Sequence, residues 1–330
     1  MGKYYVGAWF ALLWVGCADP IVAGDGDVGL TASEPDLPAH VEAALLSGRP
    51  HDGEGWDRVY TIDHHVPVGR HRWIHLRESL TIRAFMQRSR RAVLMLPGPI
   101  VTGEFYEIPV DGYRGRTVIA QEGAFAFTAD FEGEGESSMP IDGRSATQDQ
   151  QVDAMRTVLR YIRLIRRVER VDVLGESWGG GVAAELCADR LGVRSCVLAS
   201  MLYRTPSAFA DATFRNPGFR WFLDSLPEGY LPTAPDTYLG LTFAMPPEVA
   251  TWTLAEMPGT YTVVPLIDVF DLPFFDPSVG RAPALLVQGE LDPNQSLDDA
   301  RDLVASYGGP MTLVVISGGG HIPRTEPAPA

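Results

Sequence analysis

The chain has little cysteine, no excess of basic residues and no apolar run long enough to span a membrane. Its three Cys are too few for a disulfide scaffold and form no C-x-x-C pair of the kind that holds zinc. Only 27 Lys and Arg stand against 42 Asp and Glu, a formal charge of -15, and no basic stripe appears. That balance excludes a nucleic-acid partner, because phosphate binding requires clustered cations. Gly and Pro reach about 18% of the residues, short of the roughly 25–30% that marks disordered or fibrous chains. What is present is ordinary for a folded domain: 45% hydrophobic and 21% charged residues in a length of 330. Such a length accommodates one large α/β domain or two average ones.

The first 17 residues, MGKYYVGAWFALLWVGC, read as an export signal. Lys3 supplies a positive start, and an apolar stretch of thirteen residues follows at 4–16. It is too short to cross about 30 Å of hydrocarbon as a helix, but it suits the hydrophobic region of a secretory signal. Val15-Gly16-Cys17 resembles the box that directs bacterial lipoprotein processing, with Trp14 standing where that box usually has Leu. The resemblance implies lipidation of Cys17 and a membrane association limited to that anchor. It places the protein at the bacterial cell envelope, or otherwise in the periplasm or outside the cell. Residues 18–57 then carry nine acids and one base. They bury too little to offset their chain entropy, so they read as a solvated tether with at most a short helix at 41–46.

From about residue 58 strands alternate with helices, which predicts a mostly parallel sheet of about eight strands with helices on both faces. Residues 73–76 and 80–86 read as an antiparallel pair turning at Arg77-Glu78-Ser79. Buried strands are expected at 91–96, 125–129, 171–174, 196–199, 284–288 and 312–316. A capping box at Ser145-Ala146-Thr147-Gln148 opens a long amphipathic helix with apolar residues at Val152, Met155, Val158, Leu159, Ile162 and Ile165. Shorter helices are expected at 181–191 and 297–307. Residues 202–280 break this rhythm. They hold 14 aromatics among scattered prolines and read as an inserted, mainly helical cap.

The chemistry centres on a strand followed by Gly175-Glu176-Ser177-Trp178-Gly179 and then a helix. In that context G-x-S-x-G is a turn tight enough to hold a serine in a strained conformation, with Oγ pointing away from the sheet. The helix N-terminus aims free N–H groups at the same place. A serine hydroxyl becomes a nucleophile only when a base takes its proton and an acid orients that base. Asp292 follows the 284–288 strand, with Glu290 as a rival, and His321 follows the last strand. In a parallel sheet all three reach the carboxyl edge, where ligands gather.

At these residues the chain resembles the α/β-hydrolase superfamily over about residues 58–325. Asp130-Phe131-Glu132-Gly133-Glu134-Gly135-Glu136-Ser137 is similar to the family's D-x-x-G-x-G-x-S loop, and Leu96-Pro97-Gly98-Pro99 to its His-Gly loop. The resemblance implies Ser177 as nucleophile, His321 as base and acid, and Asp292 as orienting carboxylate. It requires no metal or organic cofactor. One departure matters: the usual second oxyanion donor falls on Pro99, which has no N–H. The donors expected are therefore the Trp178 N–H and, one residue on, the Ile100 N–H.

Other features carry less. His64, His65, His71 and His75 lie beside Asp63, but His71, Trp73 and His75 alternate and read as one strand face, so no metal site is assigned. Cys187 and Cys196 are either a disulfide or two buried free thiols. The leading reading is a carboxylic-ester hydrolase acting on a small-molecule substrate with an apolar or medium-chain acyl group, with the aromatic cap lining the acyl pocket. The alternatives are a peptidase of the prolyl-aminopeptidase type, whose elbow Gly-Glu-Ser-Trp-Gly-Gly resembles, an acyltransferase, or a non-catalytic tethered binding protein. The peptidase needs acids for the substrate ammonium, available in Glu228, Asp236, Glu248 and Glu256. Oligomeric state is not legible.

Overall fold

A computed structural model describes residues 49–188, 192–204, 207–233, 245–273 and 275–325. The signal segment with Cys17, the helix expected at 41–46, most of the acidic stretch and Asp236 lie outside the described residues. The strands are β1 (Arg49–Asp52), β2 (Val59–Gly69), β3 (Arg72–Thr81), β4 (Ala92–Leu96), β5 (Phe125–Ala129), β6 (Val171–Glu176), β7 (Val193–Ala199), β8 (Tyr230–Pro232), β9 (Thr260–Thr262), β10 (Ala284–Gly289) and β11 (Met311–Ile316). Nine of them form one sheet in the order β1-β2-β3-β5-β4-β6-β7-β10-β11. Pairing is antiparallel from β1 to β3 and between β3 and β5, and parallel from β5 to β11.

The described helices are α1 (Ile82–Met86), α2 (Gly115–Gln121), α3 (Gln148–Arg166), α4 (Trp178–Leu186), α5 (Ala208–Phe214), α6 (Pro217–Ser225), α7 (Pro247–Glu256), α8 (Val264–Asp268) and α9 (Leu297–Ser306). They cover the sheet on two faces, and the alternation of strand side chains feeds both. On β4, Leu94 and Leu96 join a core with Val152, Met155, Val158, Leu159 and Ile162 of α3. Val93 and Met95 point the other way, into a core with Leu174, Val197, Val287 and the α2 residues Ile119 and Ala120. Each fully buried aliphatic side chain contributes about 1.5–3 kcal/mol, so these unbroken apolar runs dominate the fold energetics. Val158 and Leu94 are both wholly buried.

Four expectations are corrected. The turn at Arg77-Glu78-Ser79 does not exist: β3 runs straight through it and pairs along its length with β2, turning at Arg70-His71. Glu78 can sit wholly buried because Arg166 forks onto it and His64 Nε2 lies 3.0 Å away, while Ser79 Oγ accepts from Arg116 Nε at 2.9 Å. Residues 82–86, expected as strand, are helix α1, capped by Thr81 Oγ1 accepting from Ala84 N. The α3 cap lies two residues later than expected, with Thr147 Oγ1 accepting from Gln150 N. The ordered sheet also begins earlier, since Arg49–Asp52, expected within the tether, pairs with β2 as the edge strand.

Among the described residues the insertion between β7 and β10 is mainly helical, with one small two-stranded sheet of β8 and β9. Cys187, next to the end of α4, and Cys196 of β7 form a disulfide, with both residues buried. That settles the open alternative.

Candidate active site

The G-x-S-x-G turn is built by close approach. A Cβ on Gly179 would lie 2.1 Å from the Pro97 carbonyl oxygen, and one on Gly175 would lie 2.3 Å from the Gly179 oxygen. Neither distance leaves room for a side chain, so both glycines are steric requirements of packing α4 against β6 and the loop after β4. Between them Ser177 takes φ 55 and ψ -124, a strained conformation for a residue with a side chain. Its own N–H donates to the Ala199 carbonyl at 2.8 Å, which holds the strained backbone to the end of β7.

The three residues named from the sequence meet at the carboxyl edge of the sheet. His321 Nε2 lies 2.9 Å from Ser177 Oγ, and Nδ1 lies 3.0 Å from each Asp292 carboxylate oxygen. His321 and Asp292 are buried. Asp292 is in turn surrounded by donors: Gln288 Nε2 at 2.7 Å and the Asn294 backbone N–H at 2.8 Å. The rival Glu290 is exposed and turned elsewhere, accepting from Ser317 Oγ at 2.7 Å and Gly318 N–H at 2.9 Å. The Ser317 bond holds its carboxyl below the usual range. Glu290 therefore pins the loop that delivers His321 and does not touch the imidazole. With Gly289 against the Gly319 and Gly320 carbonyls, the loops after β10 and β11 form one tight unit.

The loop after β4 brings Gly98 beside the serine, since a Cβ there would lie 3.1 Å from Ser177 Cβ. Ile100 is buried at φ 76, a conformation that costs a β-branched residue energy. Asp130 ties this loop to the one after β5, its carboxylate accepting from Gly103 N–H at 2.8 Å and Glu136 N–H at 3.0 Å and lying 3.0 Å from His75 Nδ1. The D-x-x-G-x-G-x-S segment thus buttresses the site from the side. His75 also meets Asp63, at 3.1 Å, and His64 meets Glu78 and Tyr161, so these imidazoles sit in hydrogen-bond networks of the sheet. His71 leaves the strand face, occupying the β2–β3 turn at φ 61. Among the described residues no group of three or more His, Cys, Asp and Glu is arranged to hold a metal.

Two contacts and one cavity escape sequence reasoning because the residues that form them are remote and share no spacing. Trp178 Nε1 donates to Asp268 Oδ2 of α8 at 2.7 Å, linking the elbow to the insertion. Burial pushes the Asp268 carboxyl up to about 6 against the opposing pull of that bond. Arg324 Nε donates to Glu176 Oε2 at 2.8 Å. Third, a cavity of about 680 Å³ opens between the β5 loop and the insertion, lined by Glu104, Glu134, Glu136 and Glu256 with His75 and Arg77. Glu134 is buried there, and both burial and the neighbouring Asp130 drive its carboxyl well above the usual range.

The sheet order, the elbow and the converging loops define an α/β-hydrolase architecture. The chain belongs to the alpha/beta hydrolase family, whose profile matches residues 93–330. It is similar in structure to E-2-(acetamidomethylene)succinate hydrolase, with 16% identity and a TM-score of 0.59 over 80% of this chain and 94% of that one. A membrane phospholipase A, a bacterial virulence factor, matches at 18% identity and TM-score 0.57 over 87% of this chain and 84% of that one. Bromoperoxidase from Bacillus anthracis matches at 17% identity and TM-score 0.56, covering 78% and 92%. No curated protein sequence matches the chain. At these identities the structural likeness speaks for the fold alone.

Proposed function

We propose that the protein is a serine hydrolase that cleaves a carboxylic ester through an acyl-enzyme on Ser177. The observation that carries this reading is the imidazole of His321 lying 2.9 Å from the Ser177 hydroxyl and 3.0 Å from the Asp292 carboxylate. Ser177 Oγ attacks the acyl carbonyl carbon while its proton passes to His321 Nε2. Asp292 holds the ring by Nδ1–H and steadies the imidazolium. The tetrahedral oxyanion accepts from the Trp178 N–H, one of the helix's unbonded first-turn amides, and from the Ile100 N–H. Collapse breaks the ester C–O bond, and His321 returns the proton to the departing alkoxide. A water, deprotonated by the same ring, then releases the acid and regenerates Ser177. The insertion acts as a cap over the acyl group.

A second reading, an aminopeptidase, draws on one feature: of the four insertion acids considered, Glu256 lines the acidic cavity, suited to an ammonium group. A panel of p-nitrophenyl esters against aminoacyl-nitroanilides separates the two. Ester turnover that vanishes in Ser177→Ala is expected; turnover of the anilides alone assigns the peptidase, and equal turnover by Ser177→Ala rejects both. We also propose export and lipid anchoring through Cys17. The buried Cys187–Cys196 disulfide supports an oxidising compartment. Palmitate incorporation lost in Cys17→Ala is the expected result.

A further inference from the structure

Glu176 is the last residue of β6 and immediately precedes Ser177; Arg324 lies three residues after His321, in a short 3₁₀ turn. The two segments that carry the hydroxyl and the imidazole are therefore joined a second time, behind the site, by an ion pair. Glu176 is 3% exposed, and the Arg324 side chain 13%. The guanidinium carbon also stands 3.9 Å from the Phe105 ring centre and 4.6 Å from that of Tyr106. Both rings belong to the turn that follows Ile100, and Tyr106 is fixed to the end of β4 by its hydroxyl donating to the Leu96 carbonyl at 2.9 Å. One side chain thus touches the nucleophile segment, carries the histidine segment and stacks on the oxyanion loop.

A buried ion pair is a poor way to gain stability, because desolvation offsets much of the attraction. Apolar packing already holds these loops together: Ile322, next to His321, packs with Val101, Phe105, Ile108 and the α7 residue Val249. Hydrophobic attraction is non-directional. A planar guanidinium hydrogen-bonded on its edge and stacked on its face adds a fixed direction to that packing. We propose that Glu176 and Arg324 are positioning residues that lock the His321 segment in register with Ser177, an assignment that rests on reading these two as the catalytic pair. Neither touches substrate; both act through the spacing between Oγ and Nε2.

The test is a double-mutant cycle on the rate at which a fluorophosphonate inactivates the purified protein, with turnover of a p-nitrophenyl ester measured alongside. Glu176→Gln and Arg324→Met are each expected to slow inactivation by about tenfold or more, since small misplacements of reacting groups cost heavily. The double variant is expected to be no slower than the worse single, because both break one contact. The loss is expected in kcat with KM within about twofold, and Arg324→Lys, which keeps charge without fork or stack, should recover only part of it. Additive losses, or rates within about twofold of wild type in folded variants, would overturn the assignment while leaving Ser177 and His321 in place. Failure of every variant to fold, Arg324→Lys included, would also overturn it, making the pair a folding element. An unreactive wild-type protein would instead remove the underlying reading.

Discussion

The parallel sheet and the insertion between β7 and β10 are built on different principles. Strands β4, β5 and β6 are buried along their whole length, and the buried carboxylates of β6, Asp172 and Glu176, are paired with Arg194 and Arg324. The insertion attaches through fewer apolar side chains, with Val249 of α7 against Val101, Phe105, Ile108 and Ile322 and with Val264 and Phe275 in the main core, and through discrete polar contacts: Arg144 on the carbonyls closing α6, Tyr230 on Pro140, Asp268 on Trp178. It also leaves Trp221 74% exposed. A frame held by area cannot shift one strand without losing the core. A covering held by a few apolar side chains and single hydrogen bonds can change more of its sequence at small cost. Ser177, Asp292 and His321 follow strands of the first kind of structure, and the Trp178–Asp268 bond joins the elbow to the second.

Substitutions can break that contrast, beginning with the frame. Asp292→Asn keeps the shape of the acceptor but turns an amide toward His321, and is expected to lower kcat by about 10⁴-fold with little change in melting temperature. Gly179→Ala drives a methyl into the Pro97 carbonyl and should cost about 3 kcal/mol in urea denaturation. A loss below about 1 kcal/mol would mean that the elbow is less rigid than its contacts imply.

The insertion should respond differently. Asp268 titrates near 6 when folded and near 3.8 as an ordinary carboxylate. The unfolded chain therefore releases this proton first, so the stability tied to it is full below pH 4 and lost as pH rises through 6. Asp268→Asn, which can still accept from Trp178, is expected to stabilise the protein by about 2 kcal/mol at pH 7 and to flatten the change between pH 4 and 6. Equilibrium denaturation at pH 4, 5, 6 and 7 measures both. Smallest of all, Trp221→Ser should alter stability by no more than about 0.5 kcal/mol, because little is buried there.

The sheet was legible wherever burial wrote an unbroken apolar run, as at β4, β5 and β6. It was illegible where a polar residue is buried beside a distant partner. Arg77-Glu78-Ser79 reads as a turn from its composition, and only Arg166 and Arg116, supplied by remote helices, make it a strand. β2 escaped notice because a polar residue, His64, stands in its inward row beside Ile62, Val66 and Val68, and Pro67 interrupts its exposed row. Of the site, the elbow, Asp292 and His321 were readable because each follows a strand at the sheet's carboxyl edge. Glu176, Arg324 and Asp268 were not, since nothing in their spacing connects them. Asp292 is preferred to its rival Glu290 by its offset after Gly289, and in the fold the 317–320 loop takes up Glu290 while Asp292 meets the ring.

The central claim, a serine activated by His321 at the end of β6, is tested most directly by locating the adduct of a fluorophosphonate through peptide mass mapping. The account predicts a single modification on the peptide containing Ser177, absent in Ser177→Ala and strongly diminished in His321→Ala. An adduct on another residue, or labelling indifferent to the loss of the imidazole, would contradict it.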